Sequence, residues 1–219
     1  LGGYTDALGP DWRIGLTATV PETQGGAWDR DDGAAAITRY YMVNSAIVHF
    51  SVVPAVSWSP IKWLSIGLGA NITYGNLRIT ADKDMGITLN QAAMSTAIDS
   101  PFPYAHPDLA APIEGSADGW GVGVVGGVFV RPIEELSFGL SVHSPVSINA
   151  TGGLTVEYPE RITQFVADTL PGATLPDLNG TFDVDLSRPW RLNAGVSAYV
   201  LPELEIGLNY SYENTSSQP

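Results

Sequence analysis

The chain has 219 residues, of which 44% are hydrophobic and only 15% are charged, and it contains no cysteine. Its 23 acidic residues against 10 basic ones give a formal charge of −13, which excludes a nucleic-acid partner because such binding needs clustered cations. The absence of cysteine excludes thiolate metal sites and a disulfide scaffold. Soluble domains are ~25% charged. The charged fraction of this chain is too low for an ordinary soluble surface, so uncharged residues must form most of its surface.

One pattern recurs four times along the chain: a proline-marked turn, followed by a strand that opens with an apolar residue, glycine and leucine. The leucines that end the four copies are Leu16, Leu68, Leu140 and Leu208. Their spacing is too irregular for a solenoid. It is typical of β-hairpins whose loops vary in length.

Apolar residues alternate with small or polar ones, and this period of two predicts strands. The clearest examples run over residues 64–75 and 136–149, and the second continues the apolar parity through Val146 and Ile148. Helix is excluded in these segments. Weaker alternation predicts five further strands, over residues 12–20, 46–58, 120–130, 190–200 and 204–212.

The connections between these strands alternate between short and long. Short turns are predicted at 59–62, 131–135 and 201–203, and long loops at 21–43, 80–118 and 155–180. The two kinds therefore lie at opposite ends of one antiparallel meander. Strands near the ~9–11 residues that cross a bilayer, with one apolar face, indicate an outer-membrane β-barrel.

The placement of aromatic residues supports the membrane-barrel prediction, because such barrels carry an aromatic girdle at each membrane interface. Those at the short-turn ends are Trp12, Trp58 and Trp63, and those near the long-loop ends are Tyr41, Tyr74, Trp120 and Trp190. The alternative is a soluble sandwich or lipocalin-like barrel, which would place serine, glycine, asparagine and threonine on the outside with hardly a charge. We therefore predict an all-β, antiparallel transmembrane β-barrel. Seven strands are too few to close, so we expect the chain to be a piece of a longer barrel.

The succession of segments resembles a known family. Residues 11–16, 53–58, 64–70, 119–128, 136–144 and 185–190 look like the third to eighth strands of the long-chain fatty acid and hydrocarbon transporters of the Gram-negative outer membrane (FadL-like, OmpP1/TodX type). His143 departs from the pattern, because the family commonly has arginine there. The resemblance implies one domain over residues 1–219, the central part of a fourteen-stranded barrel without its hatch, first strands or last strands.

Two amphipathic helices are predicted in the long loops, over residues 89–98 and 162–170. In the family the corresponding loops form an extracellular groove that first captures the lipid. By that resemblance, the groove residues are Met85, Leu89, Met94, Ile98, Phe102, Ile162, Phe165, Val166 and Leu170. The alternative is that these faces pack on each other and cap the barrel.

The resemblance also implies a lateral exit, because an inward kink of the family's third strand opens the barrel wall. Gly15 and the step from Val20 to Pro21 are the candidate positions for such a gate, since glycine and proline weaken a ladder. The alternative is that Gly15 meets a packing requirement, which Gly67, Gly139 and Gly207 would share.

No enzyme, metal site or cofactor is expected. His143 and Ser144 point to opposite faces of a strand and cannot form a catalytic pair. The acidic clusters Asp29, Asp31 and Asp32, and Asp82 and Asp84, lack the pattern of a calcium loop.

The predicted function is passive transport of long-chain fatty acids or hydrocarbons by a monomeric barrel in the outer membrane. Its partners are then a hydrophobic small molecule and the lipid bilayer. The acidic loops favour neutral hydrocarbons over fatty acids, because they repel carboxylates at long range. The alternative is a structural or adhesive barrel, or a general porin.

Overall fold

The computed structural model describes residues 2–28, 40–96, 103–104, 106–169, 172 and 174–214. Within this part the chain forms ten strands, two α-helices and one turn of 3-10 helix at Pro107–Leu109. The helices are α1 (Met85–Thr96) and α2 (Glu160–Thr169). The strands are β1 (Gly2–Ala7), β2 (Trp12–Ala27), β3 (Asn44–Ile61), β4 (Leu64–Asp84), β5 (Ala110–Ile133), β6 (Leu136–His143), β7 (Asn149–Val156), β8 (Gly180–Asp185), β9 (Arg191–Leu201) and β10 (Leu204–Glu213).

All ten strands belong to one antiparallel sheet in the order β1-β2-β3-β4-β5-β6-β9-β10. The long strand β5 has two neighbours on one side: β6 pairs with its second half and β7 with its first half, and β8 pairs with β7. The sheet is thus a meander of hairpins, because almost every connection joins adjacent antiparallel strands.

The two faces of the sheet differ in chemistry because cross-strand neighbours share a parity. One row joins Trp58, Ile66 and Val128 across β3, β4 and β5, and the next joins Ser57, Gly67 and Gly127. We call the face that carries the first row the outer face and the other the inner face. The outer face is apolar and exposed: Leu68 keeps 61% of its surface accessible and Leu208 keeps 72%. An exposed apolar face this extensive fits lipid rather than water.

The seven predicted strands are all present. Those that border the first two long loops, β2 to β5, extend further into the loops than the alternation predicted, whereas β6 ends at His143 rather than at residue 149. The structure adds β1, β7 and β8, which the sequence analysis missed. The segments of β7 (Asn149–Val156) and β8 (Gly180–Asp185) are rich in glycine, threonine and aspartate, so their apolar alternation is weak.

One strand prediction was wrong. Val146 and Ile148 do not continue the outer face of β6, because they are 1% and 0% exposed and lie in a core on the inner side. The chain leaves the sheet at Ser144, where Pro145 follows with no N–H to donate to a ladder.

Two buried clusters hold the long-loop half together. The inner-face core consists of Leu77, Ala117, Val146, Ile148, Ala150 and Leu186. The loop core consists of Met85, Leu109, Ala111 and Ile162, and it joins α1 and α2 to the start of β5. Among the described residues, neither helix has the length and apolarity to span a membrane.

Candidate ligand path

An open groove of about 720 Å³ runs along the inner face in the short-turn half of the sheet. Its floor is built by small residues, such as Gly67, Gly127 and Gly139, and apolar side chains such as Val125 and Phe129 stand beside them. Glycine keeps the groove wide: a Cβ added at Gly139 would meet no atom within 4 Å. The groove suits an apolar guest, because such a guest asks for little directional bonding.

Two segments bend inward above this groove. Residues 144–148 connect β6 to β7, and residues 186–190 connect β8 to β9; we call them the crossing segments. They are hydrogen-bonded to each other: Val146 N donates to Arg188 O over 3.0 Å, Arg188 N donates to Val146 O over 2.8 Å, and Leu186 N donates to Ile148 O over 2.9 Å. They divide the inner face into an open groove and a packed upper half.

Glycines on the inner face of β5 let the first crossing segment approach closely. A Cβ at Gly121 would lie 2.7 Å from side-chain carbons of both Ile148 and Val146, and one at Gly123 would lie 2.8 Å from Ser144 Oγ. These distances are shorter than van der Waals contact. The small parity of β5 is therefore a packing surface for the crossing segment.

Polar side chains of the inner face form a buried chain beside this core. Ser51 and Thr73 share a hydrogen bond of 2.8 Å, and Thr73 Oγ1 donates to Asn71 over 3.2 Å. His49 Nε2 lies 3.2 Å from Leu186 O, so the histidine ties β3 to the second crossing segment. These contacts satisfy buried polar atoms and stabilise the fold.

The inner face carries a charge that the sequence analysis missed. Arg191 of β9 lies directly opposite His143 of β6, and Arg191 Nη1 contacts Glu213 Oε1 of β10 over 3.2 Å. Only the strand register brings these residues together, so no local motif could reveal them. His143 is thus one member of a row of polar and ionisable residues across β6, β9 and β10.

His143 and Ser144 do not form a nucleophilic pair. The Ser144 hydroxyl accepts from Val124 N over 2.8 Å and donates to Pro145 O over 3.0 Å. The hydroxyl satisfies backbone hydrogen-bonding groups at the point where β6 leaves the sheet.

Both predicted loop helices are present, although α1 begins four residues and α2 two residues earlier than predicted, and residues 97, 98 and 170 lie outside the described chain. The structure separates their apolar residues into two groups. Met85 and Ile162 are 4% and 1% exposed and belong to the loop core, against which Leu89 is partly buried. Phe165 is 38% exposed and Val166 is half-buried. The packing interpretation thus accounts for the buried pair, and Phe165 faces solvent. Ile98, Phe102 and Leu170 lie outside the described residues, as does the side chain of Met94.

Polar contacts fix α2 and its loop. Arg161 Nη1 contacts Asp108 Oδ2 over 3.3 Å and links α2 to the 3-10 turn. The Tyr158 hydroxyl donates to Pro176 O over 2.8 Å. Desolvation and the nearby carboxylate of Asp177 raise the pKa of Tyr158 above its ordinary value of 10.0.

The two candidate gate positions of β2 have different surroundings. Gly15 faces Ala55 of β3, and a Cβ there would lie 3.6 Å from Thr5 Cγ2, which is ordinary contact. Val20 and Pro21 lie at a register shift, where the pairing skips from Thr19 to Glu22. The second position is therefore a β-bulge, which bends a strand.

No three histidine or acidic side chains gather as a metal site in the part of the chain that the structure describes. Asp84 Oδ1 accepts from Gly86 N over 2.8 Å, and Asp82 is buried at 3% exposure. Asp29, Asp31 and Asp32 lie outside the described residues.

The sheet and its two faces define the class of the protein. A long antiparallel meander with an exposed apolar face, an inner face of small residues and short turns opposite long loops is the architecture of an outer-membrane β-barrel.

The comparisons with known proteins agree. Residues 4–217 match the family "Outer membrane protein transport protein (OMPP1/FadL/TodX)", and the chain belongs to that family. It is therefore an outer-membrane protein of a family of transport proteins. None of the curated proteins matches the chain.

Solved structures show the same fold at low identity. A Pseudomonas aeruginosa FadL homologue is 16% identical with a TM-score of 0.73, over 95% of this chain and 47% of that one. The Ralstonia pickettii toluene transporter TbuX is 14% identical with a TM-score of 0.56, and the Pseudomonas putida toluene transporter TodX is 14% identical with a TM-score of 0.58, each over 95% of this chain and 52% of that one. The chain thus spans about half the length of these structures.

Proposed function

We propose that the protein carries hydrophobic small molecules, hydrocarbons or long-chain fatty acids, passively across the outer membrane. The groove of about 720 Å³ on the inner face carries the proposal, because glycines and apolar side chains supply most of its lining, with a minority of polar side chains such as Arg13, Ser141 and Asn193. Burying each CH₂ of an alkyl chain contributes ~0.8 kcal/mol. Two of the structural neighbours are described as toluene transporters, which is the same chemical class of ligand.

Capture is assigned to the extracellular loop helices. Phe165 and Val166 present apolar surface beside the buried loop core, and Ile87 of α1 is 45% exposed on the other helix. A patch that is already partly exposed can exchange water for a ligand without unfolding the loop. Leu89 is partly buried against the loop core, and Met94, Ile98, Phe102 and Leu170 stay predicted members of the groove.

Exit is assigned to the barrel wall at β2, with Gly15 and Pro21 as gate positions. The bulge at Val20 and Pro21 supports this assignment, because a bulge weakens the ladder locally. Gly15→Val is expected to fit the wall, since the nearest atoms to its Cβ lie at 3.6 Å. Slower uptake by this variant with normal barrel assembly would support the gate, and unchanged uptake would remove Gly15 from it.

Ligand binding tests the proposed function. The full-length protein in detergent is titrated with a fluorescent long-chain fatty acid, and toluene and alkanes are added as competitors. Saturable binding that the competitors reverse is expected. An absence of binding at micromolar ligand, together with ion conductance in planar bilayers, would replace the proposal with a general porin.

A further inference from the structure

The wall of the sheet is interrupted beside β5. β7 pairs with β5 up to Asp118, β6 pairs with it again only from Val125, and no strand of the described chain occupies the place between. The next wall position is interrupted at the same level, because β8 ends at Asp185 and β9 begins at Arg191. We call this interruption, opposite residues 119–124, the notch.

Inside the notch, the backbone of β5 is hydrogen-bonded on this side at Val124 but not at Val122 in the described chain. Val124 N and O point toward the notch side, where Ser144 binds both of them, over 2.8 and 2.9 Å. Val122 has the same parity and points the same way, but among the described residues no hydrogen bond reaches it on this side. In lipid an unpaired N–H or C=O costs several kcal/mol, so such backbone is tolerated only where it lines a cavity.

The notch lies at the outer-leaflet end of the wall. Val122 is nine residues from Arg131, which sits beside the short turn. A tilted strand of that length rises roughly 22–25 Å, close to the height of the ~25 Å apolar band. Trp120 packs on Tyr74 with ring centroids 5.0 Å apart and marks the aromatic girdle just above.

The crossing segments lie over the notch on the inner side, but residues 145–148 and 186–190 are not strands paired with β5. The crossing segments bond to each other through Val146, Arg188, Ile148 and Leu186, and in the described chain no backbone hydrogen bond joins residues 145–148 to β5. Below the cover, the groove begins immediately, because Val125 lines it. Moving residues 145–148, with the second crossing segment bonded to them, away from the glycines of β5 would therefore break no strand pair, although it would open the inner-face core and separate His49 from Leu186 O.

We propose that the notch is a lateral passage between the groove and the outer leaflet, with the paired crossing segments as its movable cover. This inference rests on the proposed function and adds a second wall opening to the one assigned to β2. The opening is six residues long, opposite 119–124, and two strand positions wide, or roughly 20 Å by 10 Å. That size admits one alkyl chain or one aromatic ring.

Single-cysteine labelling tests the passage, because these 219 residues contain no other cysteine. In the full-length protein, Val122→Cys places a thiol at the edge of the notch, and Ile66→Cys is the matched control. Ile66 also faces lipid, at 43% exposure against 66% for Val122, but its strand is paired on both sides, with Trp58 and Val128. Each variant is reacted with a bulky maleimide and reconstituted, and uptake of a labelled alkane is measured.

Loss of uptake is expected for labelled Val122→Cys, with labelled Ile66→Cys unchanged. Equal uptake by the two labelled proteins, or equal loss in both, would overturn the passage. Absence of alkane uptake by the unlabelled protein would instead overturn the proposed function. A second measurement uses the wild-type protein, on which a bound alkyl diazirine is photolysed. Cross-links to residues 119–124 or 144–148 are expected. Cross-links confined to β2 would contradict the passage.

Discussion

Replacing Gly121 by alanine is expected to destabilise the barrel by overpacking the interface between β5 and the first crossing segment. The new Cβ would lie 2.7 Å from side-chain carbons of Val146 and Ile148, which are 1% and 0% exposed and pack in the inner-face core. Overpacking of this kind costs about 1–3 kcal/mol.

Gly139→Ala is the matched control on the same inner face. Its Cβ would meet no atom within 4 Å, so the substitution acts only on the unfolded chain and stabilises by about 0.4–1 kcal/mol. The two variants are therefore expected to differ from each other by roughly 1.4–4 kcal/mol, with Gly121→Ala less stable and Gly139→Ala more stable than the wild type. Urea unfolding of the full-length protein in micelles, followed by tryptophan fluorescence, measures both. If Gly121→Ala were as stable as Gly139→Ala, the close packing of the crossing segment on β5 would be refuted.

Three further perturbations probe other contacts. Thr73→Val leaves Ser51 and Asn71 without their shared partner and is expected to lower the free energy of unfolding by about 1–3 kcal/mol in the same assay. Ser51→Ala completes a double-mutant cycle. Additive effects of the two substitutions would contradict an interaction between Ser51 and Thr73. Ile162→Ala empties the loop core and is expected to speed protease cleavage of the loop, whereas Phe165→Ala, on the exposed side, is expected to weaken fatty-acid binding with cleavage unchanged. Equal cleavage of these two variants would contradict the division of the loop residues. Because the folded-state pKa of Tyr158 is raised, the stabilisation by its protonated hydroxyl, which donates to Pro176 O, is present below pH 10 and is lost as the pH rises through that raised pKa. An NMR titration of the Tyr158 ring, assigned by comparison with Tyr158→Phe, measures the pKa. A pKa below 10.0 would contradict this prediction.

The sequence predicts the first half of β4 and the second half of β5, because apolar and small residues alternate there. Their other halves, which pair residues 80–84 with 110–114, fall in the segment that was predicted as a long loop. The crossing segments could not be predicted from periodicity, since Val146 and Ile148 keep the parity of β6 but face inward. Pro145 and Pro189, one in each crossing segment, were the local signs that the chain leaves the sheet there, because proline has no N–H to donate to a strand pair.

The row of ionisable residues on the inner face was missed by the sequence analysis for another reason. His143, Arg191 and Glu213 lie on three strands, and only the register of β6, β9 and β10 makes them neighbours. The notch escaped for the same reason, because it is defined by pairing that stops and resumes far apart in sequence. Long-range pairing is set by the whole sheet rather than by local residues.

Uptake into proteoliposomes tests the central claim most directly. The full-length protein is reconstituted, and the entry of radiolabelled toluene and of a labelled long-chain fatty acid is compared with that into protein-free liposomes. The account predicts faster, saturable entry that needs no energy source. Entry equal to that of protein-free liposomes, with passage of small ions instead, would contradict it.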